Sequence, residues 1–281
     1  MKTLRYRKRA ALALLLGFVL VAALGCGSQK APASESGQGT ATGSETASEA
    51  TDDLAKIKAA GKITFATDGA YPPDEFLDSN GQLVGFDVDL GKAIAKELGV
   101  QYDVKIVEWD GIIPGLVTGK YDAILSTMND TEERRQQVDF IDYISMGQVI
   151  VVKAGNPKHI QSLDDLKGKT IAVQTGTTNA DEAKGIANAN VKLFDTFTDA
   201  LLAVSNGQAD ATILDEPVAR YYGKTAPDKY AVVGQPFNEA PVGIAIRKNQ
   251  PNLKKAIEDA LQKIHDDGTW DKIYAAWFGG Q

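Results

Sequence analysis

The sequence predicts an α/β protein of two lobes, each a mostly parallel sheet flanked by helices. Three observations carry that prediction. Short apolar runs alternate with amphipathic helical stretches, the order that builds parallel sheets. A helix–glycine–strand unit occurs twice, 88 positions apart: Gly119-Lys120-Tyr121-Asp122-Ala123-Ile124-Leu125 and Gly207-Gln208-Ala209-Asp210-Ala211-Thr212-Ile213-Leu214. Upstream of each copy a strand opens on Gly-Lys and closes on polar residues, at 61–68 and 168–176.

Taken in order, residues 1–25 read as a signal peptide. Lys2, Arg5, Arg7, Lys8 and Arg9 make a basic start, and 10–24 is an apolar run of fifteen residues. That is the length of a signal core and short for a membrane span. The run ends at Cys26, the one cysteine, which excludes an internal disulfide. The small residues before Cys26 resemble a bacterial lipobox, although Ala23 stands where that pattern more often has leucine. The resemblance implies a lipidated Cys26 that anchors the chain to a membrane surface. Residues 27–53 hold no Val, Ile, Leu, Met or aromatic side chain. They cannot bury enough apolar surface to fold, so 26–53 reads as a lipid-anchored flexible linker.

A strand over 63–66 ends at Thr67-Asp68, just before Tyr71. Gly85-Phe86-Asp87-Val88-Asp89-Leu90 leads into a helix over 90–98. A strand over 102–108 ends at Trp109. A helix over 111–118, with Gly119 as its stop, precedes a strand at 124–125. That strand closes on Ser126-Thr127, with Asn129 beyond, and a helix over 131–138 carries Arg134 in its first turn. Apolar strands at 147–153 and 241–247 bracket the second copy. Its strand at 171–173 runs into 175–178, and its strand at 213–214 ends at Asp215. The stretch 253–278 reads as two helices broken at Asp267-Gly268 that pack back on the first lobe. The lobes are then 54–146 with 240–281, and 147–239, with crossings near 145–148 and 237–242.

The formal charge of −7 argues against nucleic acid as a partner, because phosphate binding needs clustered Lys and Arg. The two histidines, His159 and His265, lie away from the strand ends, and no Cys/His cluster offers a metal site.

In open parallel sheets, ligands bind beyond the carboxyl ends of the strands. Those ends gather hydroxyls, the carboxylates Asp68 and Asp215, the ring of Tyr71, and Trp109 and Arg134 nearby. A guanidinium holds a carboxylate by paired charge-assisted bonds, and a carboxylate suits an ammonium. Arg134 and Asp215 on facing lobes therefore suit an α-amino acid. Tyr71 and Trp109 would sandwich its side chain, with cation–π attraction if it is cationic. Plainer roles also fit: Arg134 on a solvated helix face beside Glu132 and Glu133, Asp215 as a helix cap, Tyr71 and Trp109 as core rings.

Residues 54–281 resemble the extracellular solute-binding proteins of ABC importers, in the polar amino-acid branch. The phrases that carry the resemblance are Gly85-Phe86-Asp87-Val88-Asp89-Leu90, Tyr121-Asp122-Ala123-Ile124, Thr131-Glu132-Glu133-Arg134, Leu166-Lys167-Gly168-Lys169 and Asp267-Gly268-Thr269-Trp270. The resemblance implies a two-lobed type II periplasmic-binding-protein fold with a two-strand hinge. It implies a monomer outside the cytoplasm, lipid-anchored to the cell membrane or periplasmic, that is not an enzyme and carries no cofactor. It implies an amino-acid ligand delivered to an ABC permease.

Roles follow by resemblance. Arg134 would clamp the α-carboxylate with Thr127 and Thr178, and Asp215 would accept the α-ammonium. Tyr71 and Trp109 would be the aromatic walls. Ser126 and Asn129 would line the same bend, and Asp68 would meet the far end of the side chain. Asp74 departs from the family pattern, which usually has an aromatic there. Facing the cleft it would favour a cationic ligand; facing solvent it would say nothing. Asp68, Asp74, Tyr71 and Trp109 lean toward Arg, Lys, ornithine or His, with a glutamine-like ligand as the other reading. Two competing functions share the fold: a cyclohexadienyl dehydratase-like enzyme, with Asp74 or Glu75 as its acid or base, and a ligand-sensing receptor domain.

Overall fold

The computed structural model describes residues 52–279. The signal peptide, the lipidation of Cys26 and most of the linker lie outside the described residues. The linker ends earlier than expected. Asp52 caps α1 (Asp53–Ala60), accepting from the backbone N–H of Leu54 at 3.0 Å and of Ala55 at 3.3 Å. Asp53 is buried and pairs with Arg247 Nε at 2.7 Å. A charge pair rather than an apolar side chain ties the first turn down, which is why hydrophobic patterning missed it.

The first lobe begins with β1 (Lys62–Thr67) and a small antiparallel sheet of β2 (Ala70–Tyr71), β3 (Glu75–Leu77) and β4 (Leu83–Val84). It continues with α2 (Phe86–Glu97), β5 (Gln101–Ile106), α3 (Trp109–Val117), β6 (Ala123–Ile124) and the single turn α4 (Glu132–Arg135). The long β7 (Val138–Lys153) leads to β8 (Thr170–Gln174), α5 (Thr178–Gly185), β9 (Asn190–Phe194), α6 (Phe197–Ser205), β10 (Ala211–Asp215) and α7 (Glu216–Thr225). The long β11 (Tyr230–Arg247) returns the chain to α8 (Pro251–Asp266) and α9 (Thr269–Phe278).

One eight-stranded sheet runs β5-β1-β6-β11-β7-β10-β8-β9. The outer pairs, β1 with β5 and β6, and β8 with β9 and β10, are parallel. The central strands β7 and β11 are antiparallel to each other. They are longer than the expected strands at 147–153 and 241–247, because Val138, Phe140 and Ile141 already face the core. Their ladder breaks register between Val233 and Phe237, between Phe237 and Ala240, and between Val242 and Gly243. Register breaks of this kind bend the strand pair and increase its twist locally.

The same strand shortens the helix expected over 131–138. Thr131 caps α4, accepting from the Arg134 N–H at 3.2 Å, but the turn closes after Arg135 because Val138 is committed to β7. The principal core packs Ile63, Phe65 and Phe86 against Leu253, Ile257, Ile264 and Phe278, so α8 and α9 share a core with β1 and α2. A separate core under β8 and β10 holds Ile171, Val173, Ala211 and Ile213. No described helix is long and apolar enough to cross a membrane.

Candidate functional site

The carboxyl ends of β1, β6, β8 and β10 face one small cavity. All nine sequence-predicted side chains line it: Asp68, Tyr71, Trp109, Ser126, Thr127, Asn129, Arg134, Thr178 and Asp215. Each arrives there by local logic. Asp68 and Ser126 follow parallel strands that stop together, and the Asp68 N–H donates to Ser126 Oγ at 2.9 Å. Thr178 opens α5, whose N-cap Thr177 accepts from the Ala180 N–H at 3.1 Å. Asp215 ends β10 at the start of α7, yet its carboxylate makes no capping bond. It accepts instead from Tyr71 OH at 2.9 Å and Asn179 Nδ2 at 3.3 Å.

Arg134 is 9% exposed. Its guanidinium donates to the carbonyls of Asn129 at 2.8 Å and Gly176 at 3.1 Å. Those bonds use two of its five N–H donors, and the remaining face is turned to the cavity wall where Trp109 lies, 5.4 Å from the ring centroid. The solvated-face reading of Arg134 is therefore overturned: it is the neighbouring Arg135 that is exposed and pairs with Asp130. Trp109 Nε1 donates to the same Gly176 carbonyl at 3.1 Å. Thr178 Oγ1 donates to Asn129 Oδ1 at 2.8 Å, and Gln174 Nε2 to Asp68 Oδ2 at 3.3 Å. These bonds join Asn129 and Asp68 to Thr178 and Gln174 around the cavity.

Charge at the site is unbalanced. Burial pushes the Asp215 carboxyl above its usual range, opposed by its bonds from Tyr71 and Asn179 and by the Arg134 charge. Burial likewise raises Asp68. Burial lowers Arg134, opposed by the Asp215 charge; a guanidinium remains protonated all the same.

Seven further residues line the cavity beyond those nine: Glu75, Gln174, Thr177, Asn179, Phe197, Ile213 and Leu214. Phe197 meets Tyr71 edge-on at 4.9 Å and backs that wall. The signal for Gln174 and Thr177 was present, since they flank the end of β8. Glu75 enters from the β2–β3 hairpin, which no strand-end argument reaches. Asp74 faces neither cleft nor solvent. It lies fully buried behind the cavity, and neither carboxyl oxygen has a hydrogen-bond partner. His159 and His265 are not among the lining residues.

Residues 63–280 match the model of the bacterial extracellular solute-binding proteins, family 3. The chain belongs to that family. The ABC transporter glutamine-binding protein GlnH of Bacillus subtilis is 35% identical, over 96% of this chain and 97% of that protein. The L-cystine-binding protein TcyJ of Escherichia coli K12 is 33% identical, over 80% of this chain and 86% of that protein. Among solved structures, an ancestral arginine-binding protein bound to arginine superposes with a TM-score of 0.75 and 46% identity, covering 78% of this chain and 98% of that one. The family fold is the two-lobed one expected from the sequence.

Proposed function

We propose that this solute-binding protein captures a cationic L-amino acid outside the cytoplasm and delivers it to an ABC permease by hinge closure. The observation that carries the reading is one cavity lined by the guanidinium-bearing Arg134 and by the carboxyl-bearing Asp215, Asp68 and Glu75. Arg134 takes the α-carboxylate with Thr127 and Thr178, and Asp215 takes the α-ammonium. Tyr71 and Trp109 flank the side chain, and Asp68 meets its far end. Arg134 is the one Lys or Arg among the lining residues, which disfavours an acidic ligand. An arginine-bound structural relative and a glutamine-binding sequence relative support the amino-acid class.

The lobes in this reading are 54–146 with 240–281, and 147–239, and bending occurs where β7 and β11 lose register. Lobe closure removes water and strengthens each charged contact. The lipid anchor on Cys26 and a monomeric state belong to the same proposal. The test is calorimetry on the purified protein, unfolded and refolded to strip carried-over ligand. It is titrated with the twenty amino acids, ornithine and cystine. Sub-micromolar binding confined to arginine, lysine, ornithine or histidine is the expected result. Tight binding of glutamine or cystine keeps the amino-acid site and removes the cationic preference. Silence from all of them removes the reading.

A further inference from the structure

One carboxyl group on the cavity wall and two that do not line it are left unused by amino-acid capture through Arg134 and Asp215. Asp74, Glu75 and Asp87 are each 1% exposed or less. Glu75 is the member on the cavity wall. Its Oε1 accepts from Ser126 Oγ at 2.7 Å, and its Oε2 from Thr127 Oγ1 at 3.3 Å. Asp87, in the first turn of α2, accepts from the Thr127 N–H at 2.8 Å and Tyr143 OH at 2.7 Å. Neither carboxyl oxygen of Asp74 has a hydrogen-bond partner among the described residues.

Two hydroxyls, one amide and one phenol cannot solvate three carboxylates. The groups facing the cluster do not help. Asp68 faces Glu75, Asp215 faces Asp74, and Tyr71, Tyr102 and Tyr143 are further titratable neighbours. None of the three is ion-paired with Lys, Arg or His among the described residues; Arg134 acts on Asp215 instead. Three like charges buried this closely cannot all ionise, so the cluster holds protons. Burial and mutual repulsion accordingly raise Asp74 and Glu75 well above the carboxylate range, while donors hold Asp87 to about 6.

The cluster also grips the cavity wall. Thr127, a β-branched residue, sits at φ 44°, a conformation such residues rarely adopt. Its N–H and Oγ1 are held by Asp87 and Glu75. Strain held in place by buried polar groups is a mark of a functional element.

We propose that Asp74, Glu75 and Asp87 form a proton-exchanging wall of the cavity, and that a cationic ligand side chain entering beside Glu75 expels a proton from the cluster. This rests on the cationic reading above. A cation next to Glu75 stabilises its carboxylate, and the proton leaves to solvent. Bound protein then carries about one proton fewer than free protein, so affinity rises by about tenfold per pH unit while the cluster titrates. A neutral ligand leaves the proton in place.

The test is calorimetry on the stripped protein with arginine and with glutamine, in two buffers of different ionisation enthalpy, across pH 5–8. Expected are about one proton released with arginine and none with glutamine. Glu75→Gln mimics the protonated carboxyl and should bind arginine without proton release. Asp74→Asn keeps Glu75 but removes a repelling neighbour, so the midpoint of proton release should move to lower pH, a shift that a purely structural role would not produce. Arginine binding with no proton exchanged overturns this proposal and leaves the cationic reading standing. Proton release that persists in Glu75→Gln also overturns it. Failure of every amino acid to bind removes the cationic reading and this proposal with it.

Discussion

Arg134 carries the most demanding chemistry of any single residue here. A buried guanidinium is tolerable only when its donors are occupied and a counter-charge is near. The carbonyls of Asn129 and Gly176 occupy two donors, and Asp215 supplies the charge. A ligand carboxylate would supply a better partner, in a paired geometry. Arg134→Ala should therefore weaken amino-acid binding by about 10²–10⁴-fold, since a charged hydrogen bond is worth about 1.5–3 kcal/mol. The thermal midpoint should move far less, because the Gly176 carbonyl is exposed and keeps its bond from Trp109 Nε1. Calorimetry and a melt on the same sample decide it, and undiminished affinity would remove the α-carboxylate role. Arg134 and Asp215 were legible in the sequence because strand-end position and residue type agree there. Glu75 was named only as a candidate acid or base of the competing enzyme, because no strand end leads to it and only the fold brings it to the cavity.

At the scale of elements, the junction between the β2–β3 hairpin and α2 decides whether the site exists. The Phe86 N–H donates to the Pro73 carbonyl at 3.1 Å and the Asp87 N–H to the Asp74 carbonyl at 2.9 Å. These bonds satisfy helix-start donors that would otherwise be buried orphans. They also fix Asp74 and Glu75 against α2. The approach is close enough that only glycine fits at 85. A Cβ there would lie 2.1 Å from the Asp74 carbonyl oxygen, and the residue sits at φ 138°. Gly85→Ala should cost about 3 kcal/mol or more, combining backbone strain with the displaced helix start. Urea unfolding reads this directly, and a loss under about 1 kcal/mol would show that the junction relaxes freely. Sequence reasoning located α2 and its glycine but missed the three-stranded hairpin sheet, whose strands of two and three residues are too short to show alternation. It overextended α4 for the opposite reason. Thr131 to Val138 reads as a helix until β7 claims Val138, a competition that only the sheet decides.

For the molecule as a whole, the repeat visible in the sequence reflects two halves of one sheet, joined by β7 and β11. What the repeat could not reveal is that the first half stores acidic groups away from water. That storage should be visible in global stability. Asp74 holds its proton far more tightly folded than unfolded, because burial and the neighbouring Asp87 oppose its charge. Below the ordinary value of 3.8 both states are neutral and nothing is lost. As pH rises the unfolded chain ionises while the folded one keeps the proton, so stability falls by up to about 1.4 kcal/mol per pH unit. Asp87 contributes in the same direction up to about 6. The acids with lowered values, such as Asp52, Asp103 and Asp165, push the other way. They are common to wild type and variant, so they cancel in a difference. Asp74→Asn keeps the shape and cannot ionise. Measured by urea unfolding from pH 3.5 to 8, the variant should gain on the wild type steadily above about pH 4. Parallel stability curves would mean that Asp74 reaches water in the folded protein, and the buried proton store would then lose its least solvated member.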